Sequence, residues 1–536
     1  MNTEQRRYTG VLLHPTSLAG RHGIGDLGPK AYAFVDSLAK ANVRLWQILP
    51  LGPTGYGNSP YASRSTFAGN ELLLSLSLLV RDGYLLEDEI ASPPPFPTDQ
   101  VDYSMVDAWK MPLLKKAAAN FLDNEMDKVA YNAFCTANQF WLDDYALFMI
   151  LYEHYNDARW FSVWKKEDGT YSKEHVARLQ MKYPRKIAIW KALQFFFERQ
   201  WQDLKAYANK HEVSIVGDIP IFVAADSVDT WSNIHLFKTD ESGHYSGVSG
   251  VPPDFFSATG QLWGNPVYDW VVMKENNYRW WIQRIQALLH QSDILRIDHF
   301  RGFESYWEVP YGNKTAEHGT WVKAPGSDFF KEVRAQLGEL PIFAEDLGFV
   351  TPEVEQLRDE NNFPGMRICQ FGFTRDVADW PNPYHLFLPH NYPDNCVAYT
   401  GTHDNDTVRG WFEALEEKDR KMVTAYLGSA PKDVSWAMIR AVMASYAQYA
   451  IFPMQDILDL NTKARMNIPS TCGSHNWAWR MEEKHGVDAN LERLSTLIQL
   501  YGRSGKLAPE EELAHLLAQT EGPTQEKGTQ KEKPAR

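Results

Sequence analysis

Hydrophobic residues are concentrated in eight short runs that are spread along the chain and mostly end in polar, glycine or proline residues. Runs of this length and composition predict buried β-strands. Amphipathic segments of helical length separate many of them, as at residues 30–41, 187–209, 279–291, 352–360 and 433–447. The eight predicted strands are residues 10–14, 43–50, 213–220, 294–299, 342–346, 367–373, 396–404 and 450–456.

Alternating strands and helices indicate an α/β protein with a parallel sheet. Eight such units predict a (β/α)8 TIM barrel, in which the active site lies at the carboxyl ends of the strands. An open, doubly wound sheet is the alternative. It is disfavoured because the GxGxxG sequence at residues 23–28 does not directly follow the first predicted strand, which ends at residue 14.

The length of the chain requires large insertions into such a barrel, because 536 residues are about twice what a plain barrel needs. Residues 65–190 have mostly helical spacing, interrupted by a proline-rich linker at 92–97. Residues 223–278 predict an aromatic loop insertion, since they are rich in Gly, Ser, Asp and aromatic residues. We therefore predict a catalytic barrel over residues 1–505, followed at 506–536 by a helix end and a disordered tail.

Charge and cysteine content narrow the class of function. The formal net charge of −14 argues against binding to nucleic acid or to an anionic membrane, both of which need basic surfaces. Cys135, Cys369, Cys396 and Cys472 form no CxxC motif and are too few for a disulfide framework. Neither a secretory signal nor a run of about 18 apolar residues occurs, so we expect a cytoplasmic protein.

Polar residues collect where several predicted strands end. Arg296 and Asp298 are two residues apart in one strand and therefore share a face. There the guanidinium can orient the carboxylate by a charged hydrogen bond. The other candidates at strand ends are Asp218, Glu345, His403 and Asp404. Carboxylates at the mouths of neighbouring strands predict one acidic cup.

Three interpretations of this cup are open. Glycoside cleavage needs one ionised carboxylate as nucleophile and one protonated carboxyl as acid. A metal site would combine the acids with His14, His299 or His403, although His-x-His and HExxH spacings are missing. In a purely structural interpretation, each carboxylate caps a helix or pairs with an arginine. That interpretation weakens because carboxylates recur at three strand ends.

Aromatic residues are unusually frequent, with 19 Trp, 25 Tyr and 27 Phe. The clusters within residues 140–148 and 190–201 have helical spacing and predict core packing. Five others lie in loops rich in glycine and proline, where rings bury little, and we interpret them as ligand contacts. They are Tyr56, Tyr61, Phe255, Phe256 and Trp263. Flat rings suit the faces of sugars, which favours a glycoside site over a metal site.

A set of motifs identifies a family. The sequence resembles the 4-α-glucanotransferases of the amylomaltase, or disproportionating-enzyme, family, which is related to the α-amylase clan of glycoside hydrolases. The resemblance extends from about Val11 to about Arg503, and the combination of motifs is highly specific. The motifs are LHPTSL at 13–18, GIGDLG at 23–28, SPY at 59–61, FAGN at 67–70, GDIPI at 217–221, GVPPD at 250–254, RIDHFRG at 296–302, AEDLG at 344–348, THDND at 402–406, MQD at 454–456, ARMNIP at 464–469 and NWAWR at 476–480.

The resemblance implies a barrel with helical insertions and without the separate C-terminal β-domain of related amylases. It implies that Asp298 is the nucleophile, Glu345 the general acid/base, and Asp404 the residue that binds sugar hydroxyls and stabilises the transition state. We expect no metal and no cofactor. The residues implied to bind substrate are Tyr61, Tyr103, Asp218, Phe256, Trp263, Arg296, His299 and His403.

The expected reaction transfers a segment of α-1,4-glucan, such as a maltooligosaccharide, to the 4-hydroxyl of glucose or of another glucan. It retains the α configuration through a covalent glucosyl-enzyme intermediate. An α-glucan hydrolase on the same scaffold is the alternative. A glucan-binding protein with a decayed site is a further alternative, and the presence of all three carboxylates argues against it. Nucleic acid and membrane are not expected as partners.

Overall fold

The computed structural model describes residues 6–124, 128–253, 257–373 and 382–506. Phe255, Phe256 and nearly all of the predicted tail lie outside these residues. The described residues form twelve β-strands and nineteen α-helices. The strands are β1 (Tyr8–Leu12), β2 (Leu45–Gln47), β3 (Ser214–Pro220), β4 (Gly247–Val251), β5 (Gln261–Pro266), β6 (Ile294–Asp298), β7 (Ser305–Pro310), β8 (Thr320–Lys323), β9 (Ile342–Ala344), β10 (Gly365–Ile368), β11 (Cys396–Tyr399) and β12 (Tyr449–Pro453).

The helices follow the same chain order. They are α1 (Pro29–Lys40), α2 (Leu76–Arg81), α3 (Glu87–Ile90), α4 (Tyr103–Asp123), α5 (Lys128–Ala137), α6 (Gln139–Tyr155), α7 (Lys166–Gly169), α8 (Lys173–Lys182), α9 (Pro184–Lys210), α10 (Val228–Ser232), α11 (Trp270–Glu275), α12 (Arg279–Gln291), α13 (Gly326–Leu337), α14 (Pro352–Glu360), α15 (Val408–Ala414), α16 (Glu417–Leu427), α17 (Val434–Ala444), α18 (Met454–Ile457) and α19 (Val487–Leu500). None of the described helices is both long and apolar enough to cross a bilayer.

Eight of the strands close into a parallel barrel in the order β1–β12–β11–β10–β9–β6–β3–β2. Each predicted apolar run overlaps one of these strands, so the predicted (β/α)8 barrel is confirmed. The runs are almost continuously apolar because side chains pack on both faces of the barrel wall. Every residue of β2, β9 and β11 is buried.

Helix α9 connects the insertion between β2 and β3 to the barrel. It contacts α4 and α6 of the insertion and also α1 and β3 of the barrel. Its large aromatic side chains are buried, as their helical spacing predicts, and they belong to one continuous hydrophobic core. They are Trp190, Phe195, Phe196, Phe197 and Trp201. Phe140 is an exception to the predicted core, because it lies in the first turn of α6 and is 47% exposed.

A small antiparallel sheet lies beside the barrel, with strand order β5–β4–β7–β8. Two of its strands, β4 and β5, come from the segment that the sequence predicts as an aromatic loop, and the other two follow β6. The apolar pattern misses these strands because short glycine- and proline-containing stretches such as Gly247–Val251 lack clear alternation. They become a sheet only by pairing across the insertion.

Candidate active site

Arg296 joins two carboxylates at the carboxyl end of the barrel. One Nη donates to Asp218 Oδ2 on β3 at 2.7 Å, and the other donates to Asp298 Oδ1 on β6 at 2.8 Å. The side chains meet because β3 and β6 are neighbours in register, with Asp218 opposite Arg296. Burial lowers the pKa of Arg296, but the two carboxylates outweigh burial and raise it well above its usual value. A permanent cation therefore orients Asp298, whose side chain is 29% exposed to the cup.

Asp218 lies at the bottom of the cup, and its side chain is fully buried. It accepts hydrogen bonds from Arg296 and, at Oδ2, from the Tyr61 hydroxyl at 2.7 Å. Burial raises the pKa of Asp218 to about 7, and the charge of Asp298 adds to this, while Arg296 and Tyr61 oppose it. Asp218 thus fixes the positions of the Tyr61 hydroxyl and of the Arg296 guanidinium.

An aromatic wall, formed by Tyr61, His403, Trp477 and Tyr103, lines one side of the cup. The ring of Tyr61 is nearly parallel to that of His403, with centroids 5.1 Å apart, and Trp477 lies 5.6 Å from Tyr61. Tyr103 supports the wall from behind, because its hydroxyl donates to the Trp477 carbonyl at 2.9 Å. Such rings offer an apolar surface with polar edges, which suits the faces and hydroxyls of a sugar.

Glu345 directly follows β9 and lies close enough to Asp298 for the charge of that residue to act on it. Its Oε2 accepts the backbone N–H of His299 at 2.7 Å, and its Oε1 accepts that of Leu347 at 3.0 Å. His299 adopts a left-handed backbone conformation, with φ of +53°, which is uncommon outside glycine and is found at functional sites. Burial, followed by the charge of Asp298, raises the pKa of Glu345 to about 8 against the opposing charge of Arg296. Glu345 therefore carries a proton near neutral pH.

Asp404 lies in the loop after β11 and is held from two sides. Asn467 Nδ2 donates to its Oδ1 at 2.6 Å, and Arg465 donates to its backbone carbonyl at 2.7 Å. His403 Nε2 lies 3.4 Å from Asp404 Oδ2. The side chain is 44% exposed, so Oδ2 remains accessible to a ligand. Asp404 is thus fixed in orientation and still able to accept hydrogen bonds from hydroxyl groups.

The histidines of the cup are neutral. Burial, with a smaller contribution from Arg301, lowers the pKa of His299 to about 3, and burial with His403 lowers that of His14 to about 3. Burial also lowers the pKa of His403. Within the described residues, the buried His299 Nε2 and His403 Nδ1 make no hydrogen bond. Neutral imidazoles of this kind can donate to or accept from sugar hydroxyls.

The metal interpretation finds no support in the arrangement of the side chains. In the described part of the chain, no three His, Cys, Asp or Glu side chains are grouped so that they could hold a metal ion. Arg296 instead provides the positive charge between Asp218 and Asp298. The purely structural interpretation explains the pairs that Arg296 makes with Asp218 and Asp298. It does not explain why Glu345 has a raised pKa, or why the carboxylate of Asp404 stays accessible in the same cup.

The structure brings most of the predicted site residues together. Trp263, in β5, packs edge-on against His299 with centroids 4.7 Å apart and is 39% exposed at the rim. Tyr56 is 75% exposed on the loop that carries Tyr61, and Phe256 lies outside the described residues. The residues that meet in the cup or its wall are Tyr61, Tyr103, Asp218, Arg296, Asp298, His299, Glu345, His403 and Asp404.

Three residues of the site are absent from the sequence-based candidates. Asn467 orients Asp404 by a hydrogen bond, and Trp477 completes the aromatic wall. Asp456 is buried after β12 and accepts hydrogen bonds from the Thr400 hydroxyl and the Val408 N–H, at the two ends of the loop that carries Asp404. The motifs ARMNIP, NWAWR and MQD contain these residues, so a signal for them exists in the sequence.

Comparison with known proteins identifies the family. The sequence profile of the 4-alpha-glucanotransferase family matches residues 13–485. A 4-alpha-glucanotransferase of Synechocystis sp. is 49% identical over 504 residues, which cover 93% of this chain and 98% of that protein. The chloroplastic/amyloplastic 4-alpha-glucanotransferase of Arabidopsis thaliana is 43% identical, over 93% of this chain and 86% of its own.

A solved structure agrees with these relatives. The amylomaltase from Streptococcus agalactiae, in complex with acarbose, superposes with a TM-score of 0.88. It is 39% identical and is matched over 93% of this chain and 100% of its own. The barrel, the joined carboxylates of the cup and these matches agree, and we conclude that the chain belongs to the 4-alpha-glucanotransferase family.

Proposed function

We propose that this 4-α-glucanotransferase performs transfer through two successive inversions at one anomeric carbon, with Asp298 as nucleophile and Glu345 as general acid/base. One observation carries the proposal: the two carboxyl groups of the cup have opposite environments. Asp298 is ion-paired with Arg296, whereas Glu345 accepts two backbone N–H groups and desolvation raises its pKa to about 8. A retaining glycosidase site needs this combination of a carboxylate and a protonated carboxyl.

In the first step, an Asp298 carboxylate oxygen attacks the anomeric carbon of the donor glucan. The glycosidic C–O bond breaks, and Glu345 gives its proton to the departing oxygen, which leaves as the 4-hydroxyl of the released glucan. The product is a β-linked ester between the donor segment and Asp298. The mechanism requires about 5–5.5 Å between the two carboxyl groups.

In the second step, the now ionised Glu345 accepts the proton of an acceptor 4-hydroxyl. That oxygen attacks the anomeric carbon, the ester bond breaks, and Asp298 is released as a carboxylate. The second inversion restores the α configuration. Asp404, held by Asn467, would bind sugar hydroxyls and stabilise the positive charge that develops on the ring.

The substrates follow from the site and the family. We expect α-1,4-glucans and maltooligosaccharides as donors, and glucose or another glucan as acceptor. Acarbose, the ligand named for the Streptococcus agalactiae relative, should occupy the same cup.

All four cysteines have free thiols. This agrees with the reducing compartment expected of a cytoplasmic enzyme.

Feeding maltotriose as the sole sugar tests the transferase activity. We expect glucose and a ladder of longer maltooligosaccharides while the number of reducing ends stays constant, because each bond broken is replaced by a bond formed. Chromatography of the products and a reducing-end assay measure both quantities. A rise in reducing ends that equals the number of bonds cleaved would show a hydrolase instead.

Transfer must compete with hydrolysis, because water can also intercept the glucosyl-enzyme. The aromatic segment after β4 ends in Phe255 and Phe256, and we expect these rings to exclude water from the cup. Phe255→Ala with Phe256→Ala should therefore raise the ratio of hydrolysis to transfer. Tyr446→Ala is a suitable control, since Tyr446 is also aromatic and is 72% exposed. An unchanged ratio in the double variant contradicts the role of these rings.

A further inference from the structure

Arg301, three residues beyond Asp298, connects two loops of the cup. It is 4% exposed, and its Nη1 donates to the carbonyl of Phe349, in the loop that begins at Glu345. Its Nη2 and Nε donate to the hydroxyl and carbonyl of Ser305, at 3.1 and 3.4 Å. One buried guanidinium thus binds the loop after β6 to the loop after β9.

The same guanidinium also contacts the antiparallel sheet. Its flat face stacks on Trp321 in β8, with the guanidinium carbon 3.9 Å from the ring centroid. Trp321 pairs across the strands with Trp307 in β7, and the ring centroids are 5.3 Å apart. Strand β7 pairs in turn with β4, which leads into residues 252–260. The sheet therefore reaches the cup at two places, Trp263 against His299 and Trp321 against Arg301.

We propose that Arg301 is a positioning residue that fixes Glu345 relative to Asp298 and couples that geometry to the antiparallel sheet. This inference rests on the proposed role of Glu345 as the acid. Arginine suits the task because its planar fork can donate to oxygens on two loops while its face stacks on a ring. Lysine offers a single ammonium and cannot maintain both loops and the stack.

The surroundings of Glu345 define what the experiment should detect. Burial is the largest cause of its raised pKa, and the charged groups that act on it are Asp298 and Arg296, both in β6. Arg301 itself is flanked by Glu304 and His299. If the loop after β9 moves outward, the carboxyl becomes better hydrated, and its pKa falls.

The test compares Arg301→Lys with wild type in the disproportionation of maltotriose across a range of pH. We expect kcat to fall by roughly 10- to 100-fold, since a misplacement of about 1 Å can cost about 10²-fold. We also expect the alkaline limb of the kcat/KM profile, which reports the free enzyme, to move to lower pH, with KM at neutral pH little changed. Loss of folded protein alone would lower the active concentration without moving the limb.

Arg503→Lys is the matched control. Arg503 is also buried, and its nitrogens donate to the carbonyls of Met443, Ser445 and Ala447, near the amino end of β12 and away from the cup. This variant should lose stability and keep the wild-type pH profile.

Trp321→Leu is a second test variant, because it removes the stack at a residue that is 39% exposed and so perturbs folding less.

Trp321→Leu should shift the alkaline limb in the same direction as Arg301→Lys, by a smaller amount. If Arg301→Lys does not fold, Trp321→Leu decides alone. If the alkaline limb of the pH profile lies at the wild-type position in either folded variant, the inference is wrong. Glu345→Gln distinguishes a failure of this inference from a failure of the proposed function. If Glu345→Gln retains wild-type turnover, the proposed acid role of Glu345 is wrong. If Glu345→Gln loses most of its turnover, the acid role stands and only the role of Arg301 is in question.

Discussion

Asp298→Asn should reduce turnover of maltotriose on the order of 10⁴-fold or more, as expected for loss of a covalent nucleophile. An amide oxygen can still accept the hydrogen bond from Arg296, so the geometry of the cup should survive. Its nitrogen and oxygen are too weakly nucleophilic to form the ester. Binding of a maltooligosaccharide, followed by the fluorescence of the tryptophans near the cup, should persist while glucose release stops.

A matched variant controls for the loss of an arginine-paired carboxylate. Asp459 forms a bidentate pair with Arg409 outside the cup, and its side chain is 34% exposed, similar to that of Asp298. Asp459 has a φ of +55°, a conformation that asparagine tolerates well. Asp459→Asn should therefore keep its activity. Turnover by Asp298→Asn at the wild-type rate would refute Asp298 as the nucleophile.

Glu345→Gln should lower turnover of maltotriose by about 10² to 10⁴-fold, the range expected for removal of a general acid. A donor whose leaving group needs no protonation, such as α-maltosyl fluoride, should be cleaved at the first step with much less loss. The comparison of the two donors in one variant is diagnostic, because a merely misfolded site would lose both. Equal losses on both donors contradict the acid role.

The pH dependence of wild type follows from the same group. Glu345 must be protonated to act as acid, and its pKa is raised to about 8, so kcat/KM, which reports the free enzyme, should fall as the pH rises through about 8. Asp298 acts on Glu345 electrostatically, so this limb reports the apparent pKa of the pair rather than of one residue. Initial rates of glucose release between pH 5 and about 10 measure the limb, and Glu345→Gln should lack it.

The raised pKa of Glu345 also has a consequence for stability. The unfolded chain ionises this group near its ordinary value of 4.5, whereas the folded chain holds the proton up to about 8. Between these values the native state binds more protons, so its stability falls as the pH rises. Glu345→Gln should thus gain stability relative to wild type over this interval. Thermal unfolding of both proteins at pH 5 and at about pH 8 gives the comparison.

Much of the fold is encoded in local pattern. The eight apolar runs predict the barrel strands because each wall strand is covered on both faces and cannot tolerate polar interruption. The buried row on α9 follows from helical spacing. The antiparallel sheet is different, since β4 and β7 are separated by the whole of β6 and neither has a strong strand pattern. Only their pairing makes them strands, and local sequence cannot show it.

The sequence by itself determined the barrel, the acidic cup and the identity of its carboxylates, because a residue at a strand end in a parallel barrel must face the same mouth. Tertiary structure alone decided the protonation of Glu345 and the supports behind the cup. Asn467 and Trp477 reach the cup from segments remote in sequence, and the pKa of Glu345 depends on burial and on a charge in another strand. Desolvation and charge proximity are properties of the assembled fold, so no local pattern contains them.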